Sequence, residues 1–224
     1  MTMAAILPGG VTVVESAGSV TDAYLLPEEA AMLGNVSEAR RREFTMARSC
    51  ARRALAELGL PPTPILPGPD RQPLWPGGIV GSITHCGGYC AVAVARATTF
   101  TAVGIDAEPN DHLPDEVLER VTLEEERVWL RAWPQSATHW GRVLFSAKES
   151  VFKAWFSGTG LWLDFTDACV TIDPKHWRFR ACIGKSPSPK IGEGAATKLT
   201  GRYLVSGGRI LTAVVIERTL IPGS

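Results

Sequence analysis

The residues best placed for chemistry begin with the acids of Gly104-Ile105-Asp106-Ala107-Glu108-Pro109. In an extended chain, residues two apart point the same way, so Asp106 and Glu108 present two carboxylates to one side. Paired carboxylates with a neighbouring main-chain carbonyl suit Mg²⁺, which takes hard oxygen ligands and keeps water or substrate phosphate in its octahedron. The plain alternative is a strand end with two solvated acids. A second stretch is Phe145-Ser146-Ala147-Lys148-Glu149-Ser150-Val151-Phe152-Lys153-Ala154-Trp155. On a helix Glu149 and Lys153 share a face, with Phe145, Phe152 and Trp155 free to anchor the other side. A third carboxylate beside an ammonium would suit metal-assisted phosphoryl transfer. Read plainly, it is a surface pair contributing about 0.2–0.5 kcal/mol.

The turn after Gly81-Ser82-Ile83-Thr84-His85 offers a hydroxyl, an imidazole and, at Gly87 and Gly88, free backbone N–H groups. Such a turn can receive phosphate; a histidine satisfied by the backbone is the alternative. Zinc at His85, Cys86 and Cys90 is disfavoured, because no paired CxxC and no second cluster completes a tetrahedron. Arg40, Arg41, Arg42, Arg48, Arg52 and Arg53 concentrate cations in one short segment of a neutral chain. Guanidinium forks grip phosphates bidentately, although a solvated face accounts for at least half of these residues. Ser146 and Ser150 lack a G-x-S-x-G elbow, and there is no Walker loop or G-x-G-x-x-G.

These groups need elements to hold them. A strand is expected at Val11–Val14 and a helix at Glu38–Leu58. Asn35 or Ser37 would cap that helix; Gly59, Pro61 and Pro62 would stop it. Phe44, Ala47, Ala51, Leu55 and Leu58 give it one apolar face. Pro61–Gly78 reads as an irregular loop. Ile79–Thr84 and Cys90–Ala97 form a hairpin turning at 85–89, with a strand following at Thr101–Asp106. Two helices come next, one opened by Thr122 and Glu125 as a capping box, the other spanning Ser146–Phe156 and ended by Gly158. Strands at Ala168–Ile172, Trp177–Ile183, Arg202–Ser206 and Ile210–Ile216 complete the chain, with Gly184–Lys198 as a loop. The order predicts an α+β fold of two halves, 1–102 and 103–224, with the boundary near 98–104.

Composition narrows the function. The chain of 224 residues is 45% hydrophobic and 21% charged, and its 23 basic side chains equal its 23 acidic ones. That balance predicts an ordinary soluble protein with no general affinity for nucleic acid or anionic membrane. Five scattered cysteines (Cys50, Cys86, Cys90, Cys169, Cys182) give no disulfide framework and fit a reduced cytoplasmic location. The opening MTMAAILPGG is no convincing signal peptide, and no apolar stretch approaches the ~20 residues of a membrane span.

The strings RRREFTMARSCARRAL, GSITHC, VGIDAEPND and FSAKESVFKAWF, in this order and spacing, resemble the Sfp-type 4′-phosphopantetheinyl transferases, in particular their actinobacterial, PptT-like branch. The similarity runs from about residue 20 to 217. It implies two similar α/β subdomains related by pseudo-twofold symmetry, with coenzyme A in the cleft between them. The implied reaction moves 4′-phosphopantetheine from coenzyme A to a serine of an apo acyl or peptidyl carrier protein and releases 3′,5′-ADP. It implies Mg²⁺ (or Mn²⁺) on Asp106, Glu108, Glu149 and the backbone of Ala107. Glu149 would be the general base, and Lys153 would contact the pyrophosphate or assist the base. Arg40, Arg48, Thr84 and His85 would grip coenzyme A phosphates, with Arg71, Lys148 and Asp106 also on the coenzyme A side. In the 66–73 loop Pro67 replaces a lysine and Arg71 is the only cation. Carrier contacts are expected near Leu113–Leu130 and Gly160–Leu163, where Trp162 and Leu163 fit a core equally well. The resemblance also implies a monomer. A non-catalytic carrier- or coenzyme A-binding protein and a metal-dependent coenzyme A phosphohydrolase are the alternatives.

Overall fold

The computed structural model describes residues 2–18, 23–133, 137–184 and 197–218. Val11–Ala17 (β1), Ile79–Cys86 (β2) and Tyr89–Arg96 (β3) form an antiparallel sheet in the order β1-β3-β2. The hairpin is tighter than the expected 85–89 turn: Cys86 already pairs with Tyr89. Gly87 and Gly88 make the turn alone, at φ 51° and 78°, values that glycine adopts without steric cost.

Pro27–Ala31 (α1) and Glu38–Glu57 (α2) lie between β1 and β2. The Ser37 hydroxyl accepts the Arg40 N–H at 3.3 Å and so caps α2. Helix α1 is too short to show a period in sequence, and Glu29 holds it. That buried carboxylate accepts the N–H groups of Leu26 and Ile65, both at 3.0 Å, and pairs with Arg52 of α2 at 2.5 Å. The segment expected to be irregular contains one isolated bridge, Pro67 to Pro73.

Phe100–Pro109 (β4) enters a second antiparallel sheet with Ala168–Asp173 (β5), Arg178–Ile183 (β6), Thr197–Ser206 (β7) and Arg209–Glu217 (β8), ordered β4-β8-β7-β6-β5. Of the expected 184–198 loop, residues 185–196 lie outside the described residues, while Thr197 and Lys198 belong to β7. Asp115–Val121 (α3), Glu124–Ala132 (α4) and Trp140–Thr159 (α5) connect β4 to β5. Helix α5 ends at Gly160, left-handed at φ 68°, not at Gly158. The expected capping pair is one residue out of register: the Glu126 carboxylate accepts the Leu123 N–H at 2.8 Å. Glu126 also accepts the Val170 N–H at 2.7 Å and pairs with Lys148 of α5 at 2.7 Å.

Both halves thus use one device. A buried glutamate in the first turn of a short helix closes that helix's own N-terminus. It pairs with a cation on a long helix and accepts an N–H from the chain beyond that helix. The layers follow from strand alternation. Cys90, Val92 and Val94 of β3 pack on α2, whereas Tyr89, Ala91, Ala93 and Ala95 pack against Val103, Ile105, Leu211 and Ala213 of the second sheet. Val143, Leu144, Ala147, Val151 and Ala154 of α5 cover that sheet's other face. The result is helix, sheet, sheet, helix.

Candidate active site

The two sheets meet along β2 and β4, and the join is made by hydroxyls. Ser82 Oγ accepts the Ile105 N–H at 3.1 Å, and Thr84 Oγ1 accepts the Ala107 N–H at 2.9 Å. Gly104 lets α5 lie directly on β4: a Cβ there would fall 2.1 Å from the Ser150 carbonyl oxygen. This close approach brings Asp106, 4% exposed, onto the polar stripe of α5. Lys153 Nζ donates to Asp106 Oδ1 at 2.7 Å and to the Ile105 carbonyl at 3.2 Å. Thr84 donates to the same Oδ1 at 3.3 Å, and Ser146 Oγ donates to Oδ2 at 2.8 Å.

Two further acids face this cluster. Glu108 pairs with Arg142 of α5 at 3.1 Å. Burial and the neighbouring Asp106 carboxylate nevertheless push its carboxyl up to about 7, with Glu149 adding to the rise and Arg142 opposing it. Burial raises the Glu149 carboxyl too; Lys153 opposes that rise and Asp106 adds to it. Among the described residues Glu149 has no hydrogen bond or ion pair. No group of three His, Cys, Asp or Glu among those residues is gathered tightly enough to hold a metal as it stands. Asp106 is engaged by Lys153 and Glu108 by Arg142. Crowded, desolvated carboxylates of this kind are nevertheless a donor set that a divalent cation would stabilise.

A cleft of about 1040 Å³ opens beside the acids, at the upper end of the ~300–1,000 Å³ of small-molecule sites. Arg40 and Arg48 of α2, Arg71, His85 and Lys153 line it, together with apolar side chains that include Trp75 and Phe152. Arg48 is buried with its guanidinium 4.1 Å above the Phe44 ring, and its Nε has no partner among the described residues. Burial lowers its pKa to about 10. An anion in the cleft would give that orphaned N–H the acceptor it lacks. His85 Nε2 lies 3.4 Å from Arg40. Burial, opposed by Glu43 and reinforced by Arg40, lowers its pKa. Arg71 holds a left-handed backbone at φ 66° at the tip of the 66–74 loop.

Not every expected residue joins. Lys148 was grouped above with coenzyme A contacts, but its ammonium is sealed between Glu126 and the Phe165 carbonyl. One residue along a helix is about 100° of rotation, so Lys148 and Glu149 leave α5 in different directions. Thr84 turns to Asp106 and Ala107 rather than to the cleft, because it alternates with His85 along β2. Of the arginine stripe, Arg52 is buried on Glu29, Arg42 pairs with Glu38 at the surface, and Arg41 reaches the Gly34 carbonyl. Leu113 and Leu163 are core, while Leu161 and Trp162 are about half exposed. Arg142 and Thr212 escaped sequence reasoning. Arg142, Ser146, Glu149 and Lys153 lie at i, i+4, i+7 and i+11, so a polar stripe at helical spacing was the available signal. Nothing local marks Thr212, which reaches the site across the sheet.

Residues 28–95 match the family model of the 4′-phosphopantetheinyl transferase N-terminal domain, and 102–197 match that of the 4′-phosphopantetheinyl transferase superfamily. The 4′-phosphopantetheinyl transferase Svp of Streptomyces mobaraensis is 48% identical over 194 residues, 86% of this chain and 78% of the relative. PptT of Mycobacterium tuberculosis is 46% identical over 195 residues, covering 85% and 86%. Npt of Nocardia iowensis is 42% identical over 216 residues, covering 93% and 97%. The chain belongs to the 4′-phosphopantetheinyl transferase superfamily. In this transferase the first matched segment contains Arg40, Arg48 and His85, and the second contains Asp106, Glu108, Glu149 and Lys153. Both segments therefore build the cleft.

Proposed function

We propose that this transferase binds coenzyme A in the cationic cleft and moves its 4′-phosphopantetheine to a serine hydroxyl of an apo acyl or peptidyl carrier protein, releasing 3′,5′-ADP. One observation carries the reading: Lys153 lines the cationic cleft and also donates to Asp106 at 2.7 Å, so the anion site and the acid cluster share a side chain. Arg40, Arg48 and His85 would hold the nucleotide phosphates, with Arg71 at the rim. Asp106, Glu108 and Glu149, with the Ala107 carbonyl, would hold Mg²⁺ or Mn²⁺. Such an ion would neutralise the pyrophosphate and the charge that grows on the leaving oxygen. Arg142 occupies only Oε2 of Glu108, which leaves Oε1 for the ion.

Glu149 has the requirements of the base. Its carboxylate has no hydrogen bond or ion pair among the described residues, and burial raises its proton affinity, which favours accepting the serine proton. Lys153 stabilises the leaving pyrophosphate oxygen. Positioning and fixed charge then provide most of the rate, and no covalent enzyme intermediate is required. The same reading divides the chain into 1–102 and 103–224 and makes it a cytoplasmic monomer, the cleft being complete within one chain. Among the described residues no helix is long and apolar enough to cross a membrane.

The test is the intact mass of an apo carrier protein after incubation with the transferase, coenzyme A and Mg²⁺, beside an EDTA control and a carrier-free control. The expected result is a gain of one phosphopantetheine, abolished by EDTA. Release of phosphopantetheine without carrier, and no gain with several carriers, would replace this reading with a phosphohydrolase.

A further inference from the structure

The acids beside the cleft differ in how firmly they are held. A carboxylate has about four acceptor positions. On Asp106, Lys153 and Thr84 occupy Oδ1 and Ser146 occupies Oδ2, which leaves about one position open. Ser146 is fully buried and is itself held from behind. Thr212 of β8, also fully buried, lies 3.0 Å from Ser146 Oγ and donates to the Ser146 carbonyl at 2.8 Å. The charge on Asp106 orders the protons. Ser146 gives its hydrogen to the carboxylate, the stronger acceptor, and Thr212 gives its single hydrogen to the Ser146 main-chain carbonyl. Thr212 of the second sheet thus holds the Ser146 main chain on α5, and the Ser146 side chain holds Asp106.

We infer that Ser146 and Thr212 are positioning residues that lock the Asp106 carboxylate before any ligand arrives, leaving one lone pair of Oδ2 for a divalent cation. Neither residue touches the cleft, so each acts only through Asp106. The inference rests on the metal reading given under Proposed function. Hydroxyls behind a ligating carboxylate fix its rotation, and removing such a partner typically weakens metal binding about 10–100-fold. Ser146→Ala is expected to fall in that range. Thr212→Val, one bond further away, is expected to lose less than about tenfold.

The decisive pair is at Thr212. Thr212→Val keeps the side-chain shape and deletes the hydroxyl; Thr212→Ser keeps the hydroxyl and deletes the methyl. Positioning predicts that Val weakens the site and Ser does not. A packing role predicts the reverse, since only Ser leaves a cavity.

The experiment is direct titration with Mn²⁺, reading free ion by electron paramagnetic resonance, on wild type, Asp106→Asn, Ser146→Ala, Thr212→Val and Thr212→Ser, each first shown to be folded by circular dichroism. If Ser146→Ala fails to fold, the Thr212 pair decides. Loss of binding in Asp106→Asn, weakening in Ser146→Ala and Thr212→Val, and near-wild-type binding in Thr212→Ser are the expected pattern. Wild-type affinity in both Ser146→Ala and Thr212→Val, with Asp106→Asn defective, would overturn the positioning role alone. Equal binding by wild type and Asp106→Asn, or none by wild type, would instead overturn the metal reading.

Discussion

Lys148 and Lys153 stand five residues apart on α5, and each ammonium lies 2.7 Å from a carboxylate, yet the two pairs have opposite roles. The Lys148–Glu126 side chains are 1% and 0% exposed; those of Lys153 and Asp106 are 26% and 6% exposed. Burial lowers the Lys148 pKa, although Glu126 opposes it. Burial acts in the same sense on Lys153, but Asp106 and Glu149 outweigh it and the net shift is upward. Glu126 also accepts the backbone N–H groups of Leu123 and Val170, three bonds in all, as many as Asp106 accepts. Lys153 instead borders the cleft. Bond length does not separate a structural pair from a functional one. Access does.

The comparison can be broken from either side. The largest effect is expected on the open side. Asp106→Ala, Glu108→Ala or Glu149→Ala should each lower kcat for phosphopantetheine transfer at least about 10²–10³-fold, with the circular dichroism spectrum retained. Full activity in a folded Asp106→Ala protein would remove that acid from the site. On the sealed side, Lys148→Met strands a buried carboxylate and should cost about 3–5 kcal/mol in urea denaturation. Its folded fraction should bind coenzyme A normally, and adding Glu126→Gln should recover part of the loss. A raised KM for coenzyme A in Lys148→Met with unchanged stability would return Lys148 to the cleft.

His85→Ala tests the cleft more gently. The expected outcome is a rise of roughly tenfold, worth about 1.4 kcal/mol, in KM for coenzyme A, with KM for the carrier held. At the small end is Arg42→Ala. The Arg42–Glu38 pair is 69% exposed at both ends, and such pairs contribute about 0–1 kcal/mol. Stability and both KM values should stay near wild type, in contrast to Arg48→Ala, which removes a buried cation from the cleft wall and should raise KM for coenzyme A.

Much of the fold was legible because it rests on local period and punctuation. The α2 face from Phe44 to Leu55 and the alternation of β2 and β3 follow from neighbours a few residues apart, although the hairpin expected to turn over 85–89 closes at 87–88. Helix α1 was not legible, because Glu29 holds it through Arg52 and Ile65, both far along the chain. The capping register before α4 was misread for a related reason: Thr122 and Glu125 fit the motif, but Glu126 alone also reaches Val170 and Lys148. At the site, residue types and spacing nominated Asp106, Glu108, Glu149, Lys153 and His85. The resemblance also placed Lys148 on the coenzyme A side, whereas helical rotation carries it into the core.

By itself the sequence determined the family, the α+β class and the acids, lysine and arginines available for chemistry, since these reside in residue identity and in spacings along one element. Tertiary structure decided which of them share a space. Gly104 admits α5 onto β4, and Arg142 reaches Glu108 from α5. Thr212 stands behind Ser146, and Lys148 is withdrawn to Glu126. Each depends on the distance between elements that are remote along the chain, a quantity set by packing and absent from any local spacing.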